Sequence, residues 1–501
     1  MIKKVLVANR GEIAVRVIRA CRDMGIASVA VASEADRHAM HAKLADACVV
    51  IGPPEPSESY LRADRILEAA EQTGADAIHP GYGFLSERAE FAEACEAAGV
   101  RFIGPSGAAM RKLGAKIDAK QLAVASGVPV TPGFFEPNAS DKQLKVAAVQ
   151  IGYPVMLKAS AGGGGRGMRI VRDPADFDQE LALARDEAIK GFGDGAMMVE
   201  KLVDRPRHIE VQLLADQHGQ VACLFERDCS IQRRHQKLIE ESPSPIMTDQ
   251  LWERMRTSST QLALAAGYTG AGTVEFMVDE TSGEFYFLEV NARLQVEHPV
   301  TEVITGVDLV EWQIRIASGE RLALSPELMA GDRRAIRGHA IESRIVAEDP
   351  AKGFLPSVGP VIGWAAASGP GVRFDTGFEA GAEVTRYYDS LLAKLIVQGE
   401  NREQATRRMT KALADTHILG VRTNIAFLMD IYASSGFQEG KFDTGWMGRE
   451  FPEWQPRAEV PVELAAILSS ATASSGPATG SLVSESRPAW SLADGFRNFK
   501  G

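Results

Sequence analysis

The first 113 residues alternate short apolar runs with amphipathic stretches, and this alternation constrains the fold more than any other feature of the chain. VLVAN (5–9), SVAVAS (28–33), DAIHP (76–80) and VRFIGPS (100–106) read as strands. Between them apolar residues recur at helical spacing, as in Ile13, Val17, Ile18 and Cys21. Strand–helix alternation at this spacing predicts a parallel sheet with helices packed on it. In such sheets ligands sit beyond the carboxyl ends of the strands. NRGEIA and HPGYGFLSE both fall at such ends. No GxGxxG follows the first strand, which argues against a dinucleotide-binding dehydrogenase.

At 501 residues the chain is too long for one core. The pattern divides it into a Rossmann-like unit over 1–113, a connecting helix over 114–133 that stops near Gly127 and Pro129, and a small unit over 134–203. A strand-rich segment follows over 204–334, and then a unit over 335–450 with further strands and helices at 402–415 and 421–433. The expected class is α/β, and α+β in part. Residues 451–501 contain SSATASSGPATGSLVSES, a flexible linker by composition. AWSLADGFRNFKG then regains aromatics, as the start of a further folded unit would.

Composition narrows the partners. With 55 basic and 66 acidic residues the formal charge is -11, which argues against nucleic acid as a partner. A bound polyphosphate therefore needs a local cluster of Lys, Arg and Gly. The five cysteines include no CxxC pair and are odd in number, so a reduced, cytoplasmic setting is expected. MIKKVLVANRGEIA reads as a first strand and not as a signal peptide. No stretch approaches 18 uninterrupted apolar residues, so no membrane span is expected.

Three motifs carry the chemistry. Gly162 to Gly165, Arg166 and Gly167 lie between the strand-like runs YPVMLKAS and MRIVR. A P-loop would end in GK[ST] and open a helix, and this run does neither. It predicts a glycine hairpin tip, a mobile phosphate-covering flap beside Lys158 and Arg166 whose backbone N–H groups approach phosphate closely.

The sharpest motif is EVNARLQVEHP. Glu289, Asn291, Arg293, Gln295 and Glu297 fall at every second position, with Val290, Ala292, Leu294 and Val296 between them. An extended run would put the polar groups on one face and the apolar groups on the other. GTVEFMV (272–278) and FYFLEV (285–290) flank DETSGE, a hairpin turn. A turn centred on Ser282 puts Glu275 across from Glu289. Facing carboxylates repel unless a cation lies between them, and oxygen ligands suit Mg²⁺ or Mn²⁺.

The third motif is basic. HIEVQLLAD places His208, Glu210 and Gln212 on one strand face. CSIQRRHQKLIEE puts Gln232, Arg233, Arg234, His235, Gln236 and Lys237 in a row, which in an acidic chain points to an anion. GHAIESRIVAED alternates again, with Glu342 and Arg344 on one face; spacing alone makes this an intrastrand ion pair of little worth.

VLVANRGEIAVRVIRA, HPGYGFLSE, KASAGGGGRGM, RDCSIQRRHQK, EVNARLQVEHPVTE and IESRIVAEDP occur in the order in which they stand in biotin carboxylases. Over roughly residues 1–447 the chain resembles that family of ATP-grasp enzymes. The resemblance implies an ATP-grasp fold with an N-terminal Rossmann-like domain, a mobile Gly-rich lid and a C-terminal β-rich domain. It implies a ligase that carboxylates biotin with bicarbonate and ATP through carboxyphosphate, with magnesium or manganese. It implies that Glu275, Glu289 and Asn291 hold metal, and that Lys237, Arg293, Gln295 and the backbone of Val296 hold bicarbonate. Glu297 resembles the base for bicarbonate, and Arg344 the residue that stabilises the biotin enolate. Lys116, Lys158, Gly164, Gly165, His208 and His235 resemble ATP contacts, and Glu200, Lys201, Leu202 and Val203 the adenine-holding linker.

Departures from the family pattern are few. Arg88 stands where Asn is expected, and ESPSP (241–245) where EAPAP is expected. EWQIRIASGE (311–320) and the terminal AWSLADGFRNFKG resemble the fused α chains of acyl-CoA carboxylases. No Met-Lys-Met biotinylation site is present. The biotin must then come on a carrier domain or protein, with a carboxyltransferase as a further partner, in a homodimer or a larger assembly. Another ATP-grasp carboxylate–amine ligase is the rival enzyme, disfavoured by the 289–297 run. A non-catalytic nucleotide-binding regulator would be expected to lack Lys237, Glu297 or Arg344, and all are present.

Overall fold

The computed structural model of the chain describes residues 2–136, 138–160 and 167–456. Within residues 2–454 the chain is one compact unit. The expected parallel sheet is its first layer, ordered Ala47–Gly52, Ala27–Ser33, Lys4–Val7, Ala77–His79 and Arg101–Phe102. The helix Gly11–Asp23 buries Ile13, Val17, Ile18 and Cys21, the residues whose spacing predicts it. The edge strand Ala47–Gly52 joins the four expected ones. Only Ala45 and Asp46 separate it from the helix Met40–Leu44, too short a gap to mark in the sequence.

The connecting segment holds one helix, Lys116–Ala125, set off from Gly107–Gly114 by the extended Ala115. Gly127 then turns the chain with a φ of 71°.

Residues 133–201 form a four-stranded antiparallel sheet ordered Gly133–Phe134, Met197–Lys201, Val155–Ala159 and Met168–Val171. Helices Asp141–Ile151 and Phe177–Phe192 pack on it, and Leu144, Val155, Leu157, Phe177, Leu181 and Val199 make a core separate from the main one. Lys158 pairs with Met168, so the glycine-rich segment joins two neighbouring strands. Gly164, Gly165 and the rest of 161–166 lie outside the described residues, as does the chain after 456. At Gly167, with φ at 69°, a Cβ would come within 2.9 Å of that of Ala159, so only glycine fits the close approach.

The third layer is an eight-stranded antiparallel sheet: Glu284–Asn291, Gly270–Asp279, Arg207–Ala215, Val221–Arg233, Gln236–Ser242, His339–Val346, Leu391–Gly399 and Val372–Thr376. Pairing of Gln236–Ser242 with His339–Val346 carries it without a break across the expected division at 334/335. Its central strands are buried on both faces, and they bury charge as well as oil. Glu210, Glu226, Arg227, Asp228, Glu240, Glu241 and Glu342 are all within 2% of fully buried. Charges in such a place persist only when paired or neutralised.

Candidate functional site

The expected hairpin closes one edge of this sheet. Its tip pairs Asp279 with Glu284, and Phe276 with Phe287. Leu288 is then an extra residue, and this bulge brings Glu289 opposite Glu275. Without it Glu275 would face Leu288, because one residue of slip turns every side chain over. The alternation does not continue as strand beyond Asn291, and here the sequence reading is corrected. Arg293 closes the chain into a loop: Nη2 donates to Asn291 Oδ1 at 3.0 Å, and Nη1 to Gln295 Oε1 at 2.9 Å and the Leu294 carbonyl at 3.2 Å. The loop enters the helix His298–Thr305, with Glu297 at its head.

The polar groups of the loop therefore turn inward. Lys237 Nζ donates to Glu210 Oε2 at 2.6 Å, Glu297 Oε1 at 2.7 Å and Glu275 Oε1 at 2.9 Å. Asn291 Nδ2 donates to the same Glu275 oxygen at 2.8 Å, and Gln295 Nε2 at 3.4 Å. Arg344 Nη2 donates to Glu297 Oε2 at 2.8 Å, and its Nε to Glu240 Oε1 at 2.6 Å. The in-strand partner expected for Arg344, Glu342, makes no bond to it: both its oxygens lack a hydrogen-bond partner among the described residues. The reading of that strand as a weak intrastrand ion pair is therefore corrected. Glu240 and Glu297, which lie 104 and 47 residues away in sequence, take the guanidinium.

The electrostatics follow from this packing. Burial disfavours the Glu297 carboxylate, but Lys237, Arg344 and Arg227 outweigh burial and hold it well below the usual range. Burial likewise opposes the Lys237 charge, and Glu210, Glu275 and Glu297 keep it well above its ordinary value. For Glu275 burial is overcome by Lys237 and His208, whose Nε2 lies 3.1 Å away. Thus Glu297 is an ionised, fully buried carboxylate at neutral pH, flanked by two cations.

Arg234 and His235 both have positive φ, 49° and 64°, and form the tight turn between Val221–Arg233 and Gln236–Ser242. Non-glycine residues held there carry strain, which clusters at functional sites. The turn exposes His235 while Lys237, two residues on, points inward. Burial, then the charges of Lys158, His208 and Lys116, push His235 down. Four residues expected to contact phosphate are therefore neighbours, drawn from four separate elements.

Other expected residues take specific places. Lys116 Nζ lies 3.7 Å from Glu289 Oε2. Glu200 is wholly buried between Lys158 and Lys120, each at 2.6 Å. Burial disfavours its charge, yet Lys158 and Lys120 hold it at about 2. Lys201 Nζ donates to the Gly152 and Tyr153 carbonyls, and the Leu202 N–H to that of Pro154. The Val296 carbonyl accepts from Lys394 Nζ at 2.9 Å.

Glu275, Glu289 and Asn291 have oxygens that suit a hard divalent cation, and in this structure Lys237 takes Glu275 Oε1 while Arg293 takes Asn291 Oδ1. His208, Glu210 and Glu275 also converge within 4.8 Å, but Lys237 Nζ sits on two of those carboxylates and fills that position with an ammonium.

Sequence reasoning missed several partners. Glu87 accepts from Arg293 Nε at 2.9 Å and from the Ala292 N–H at 3.1 Å. Its motif, HPGYGFLSE, was in view at a strand end. Arg227, fully buried, donates to Glu210, Gln212, Thr301 and Thr273. Its only sequence signal is the charged triplet Glu226, Arg227, Asp228 inside a long strand.

Comparison with known proteins covers most of the described chain. Residues 1–110 match "Biotin carboxylase, N-terminal domain", 115–325 "Carbamoyl-phosphate synthase L chain, ATP binding domain" and 342–449 "Biotin carboxylase C-terminal domain". The biotin carboxylase of Nostoc sp. is 50% identical over 89% of this chain and 98% of its own length. The methylcrotonoyl-CoA carboxylase subunit alpha of Oryza sativa is 51% identical over 89% of this chain, which spans only 60% of that relative. The biotin carboxylase domain of Hydrogenobacter thermophilus 2-oxoglutarate carboxylase, solved with MgADP, ADP and bicarbonate, superposes with a TM-score of 0.86 at 48% identity. That alignment covers 90% of this chain and 98% of that one. Matches in all three segments, and near-complete coverage of the Nostoc relative at half identity, mean that this chain belongs to the biotin carboxylase family.

Proposed function

We propose that this chain carboxylates biotin, using ATP and bicarbonate, as the first half-reaction of a biotin-dependent carboxylase. The observation that carries the reading is Glu297: a buried, ionised carboxylate held between Lys237 and Arg344. Lys237, Arg293, Gln295 and the Val296 backbone form the bicarbonate pocket. Bicarbonate entering there would draw Lys237 towards its own charge. Glu297 then loses stabilisation as a carboxylate and gains basicity, so it takes the bicarbonate proton.

Bicarbonate oxygen attacks the γ-phosphorus of ATP, ADP leaves, and carboxyphosphate forms. Glu275, Glu289 and Asn291 would hold a divalent cation, which supplies neutralisation of phosphate charge. Lys116, Lys158, His208 and His235 attract the polyphosphate, and the 134–203 unit closes over it with Gly164 and Gly165 at its tip, excluding water from a labile intermediate. Glu200 keeps Lys158 in place; Lys201, Leu202 and Val203 hold the adenine. Carboxyphosphate then yields CO₂ and phosphate. Phosphate takes the ureido N–H proton of biotin, the enolate attacks CO₂, and Arg344 stabilises the enolate oxygen.

The biotin arrives on a carrier domain, and a carboxyltransferase receives the carboxyl group, in a homodimer or larger assembly. The five unpaired cysteines fit a cytoplasmic setting. The test is ATP cleavage by the purified chain with magnesium. Cleavage should require bicarbonate and rise with free biotin; cleavage that instead requires an amine acceptor would replace this reading with a carboxylate–amine ligase.

A further inference from the structure

Arg344 is gripped from two sides, and the two grips do not behave alike during the proposed reaction. Glu297 holds Nη2 at 2.8 Å, and Glu240 holds Nε at 2.6 Å. When Glu297 takes a proton it loses its charge, and its hold on the guanidinium weakens. Arg344 would slacken just before it is needed, unless Glu240 keeps it. Glu240 is fully buried, and its second oxygen lacks a hydrogen-bond partner among the described residues. Opposite it on the next strand stands Glu342, also fully buried, with both oxygens in that same state. Two acids so placed cannot both stay ionised without a counter-charge, and only Glu240 touches one.

We propose that Glu240 is a positioning residue which keeps Arg344 aimed through the proton-transfer step, while Glu342 beside it stays a neutral acid. The inference rests on the proposed biotin carboxylation and deepens it.

The groups around Glu240 come from every neighbouring element. They are Arg344 and Glu342 on His339–Val346, Lys237 on its own strand, Cys229 on Val221–Arg233, Glu297 at the helix head and Tyr432 on Ile425–Ala433. Burial, then the Glu297 charge, push Glu240 up to about 7 against the pull of Arg344. Burial, against the pull of Lys394 on Leu391–Gly399, drives Glu342 well above the usual range. Glu240 is therefore charged above pH 7 and neutral below it, and its grip fades as pH falls through that value.

The experiment compares wild type with Glu240→Gln at pH 8, and then as a pH profile through 7, in two assays: bicarbonate-dependent ATP cleavage without biotin, and its stimulation by free biotin. The variant should lose stimulation by at least about tenfold, keep biotin-independent cleavage and ADP affinity within about threefold, and lose the acid limb near pH 7. Stimulation equal to wild type would overturn the proposal. So would an equal loss of both reactions together with ADP affinity, which marks a structural role only. Should Glu240→Gln fail to fold, Glu240→Asp keeps the charge: full activity with an unshifted acid limb supports the proposal, and full activity without that limb overturns it. A wild type without biotin stimulation would instead sink the functional reading itself.

Discussion

Around Lys237, Glu297 and Arg344 each cation meets two or three carboxylates at hydrogen-bond distance. Around Lys116 and His235 the balance is reversed: the nearest acid to Lys116 Nζ is 3.7 Å away, and His235 is depressed by burial and by cations. The first half is closely paired within itself. The second leaves its basic groups less closely paired. Enzymes gain most from groups fixed before the transition state forms, and the closed half has that character. The 133–201 unit beside the second half has a core of its own.

The largest test of this contrast is Glu297→Ala. It should abolish bicarbonate-dependent ATP cleavage, a loss of about 10²–10⁴-fold, while nucleotide binding measured by calorimetry is retained. Unchanged turnover would remove Glu297 from its role. Next comes Arg227→Met, which strips the buried counter-charge from Glu210. Breaking such a pair costs about 3–5 kcal/mol, read by urea denaturation; a cost under 1 kcal/mol would mean that the closed half is held by packing and not by charge.

Acid should then erode both halves. Glu200 and Glu241 are held at about 2 although burial opposes their charge, Glu200 by Lys158 and Lys120, Glu241 by His339 and Arg402. Because these values are depressed, the stability they supply is full above the unfolded value near 4.5 and lost as pH falls towards 2. Each contributes about 3 kcal/mol by that linkage. Glu241→Gln should flatten the fall in unfolding free energy below pH 4.5, and a slope identical to wild type would contradict the pairing.

The smallest effect belongs to the 133–201 unit. Ser140 caps helix Asp141–Ile151 in a capping box with Gln143. Ser140→Ala should cost about 1 kcal/mol locally, seen as faster amide exchange in that helix. Exchange that spread equally into the eight-stranded sheet would break the separation of the two halves.

The legible parts share one property: they are local. Ile13, Val17 and Ile18 announce their helix because their spacing is helical and their neighbours in sequence are their neighbours in space. Glu275 and Glu289 were placed across from each other by a hairpin of few residues, although a bulge at Leu288, which no pattern announces, is what makes that pairing true. Arg344 was the opposite case. Its strand spacing paired it with Glu342, but strands from distant parts of the chain lie closer, and Glu240 and Glu297 took the guanidinium.

By itself the sequence determined the parallel sheet, the antiparallel hairpin and the inventory of charges in the site, because periodicity and composition are properties of short segments. Only the tertiary structure decided which acid neutralises which base. Inside a sheet buried on both faces, a charge must find its partner wherever packing brings one, and that partner is set by strand order and not by distance along the chain.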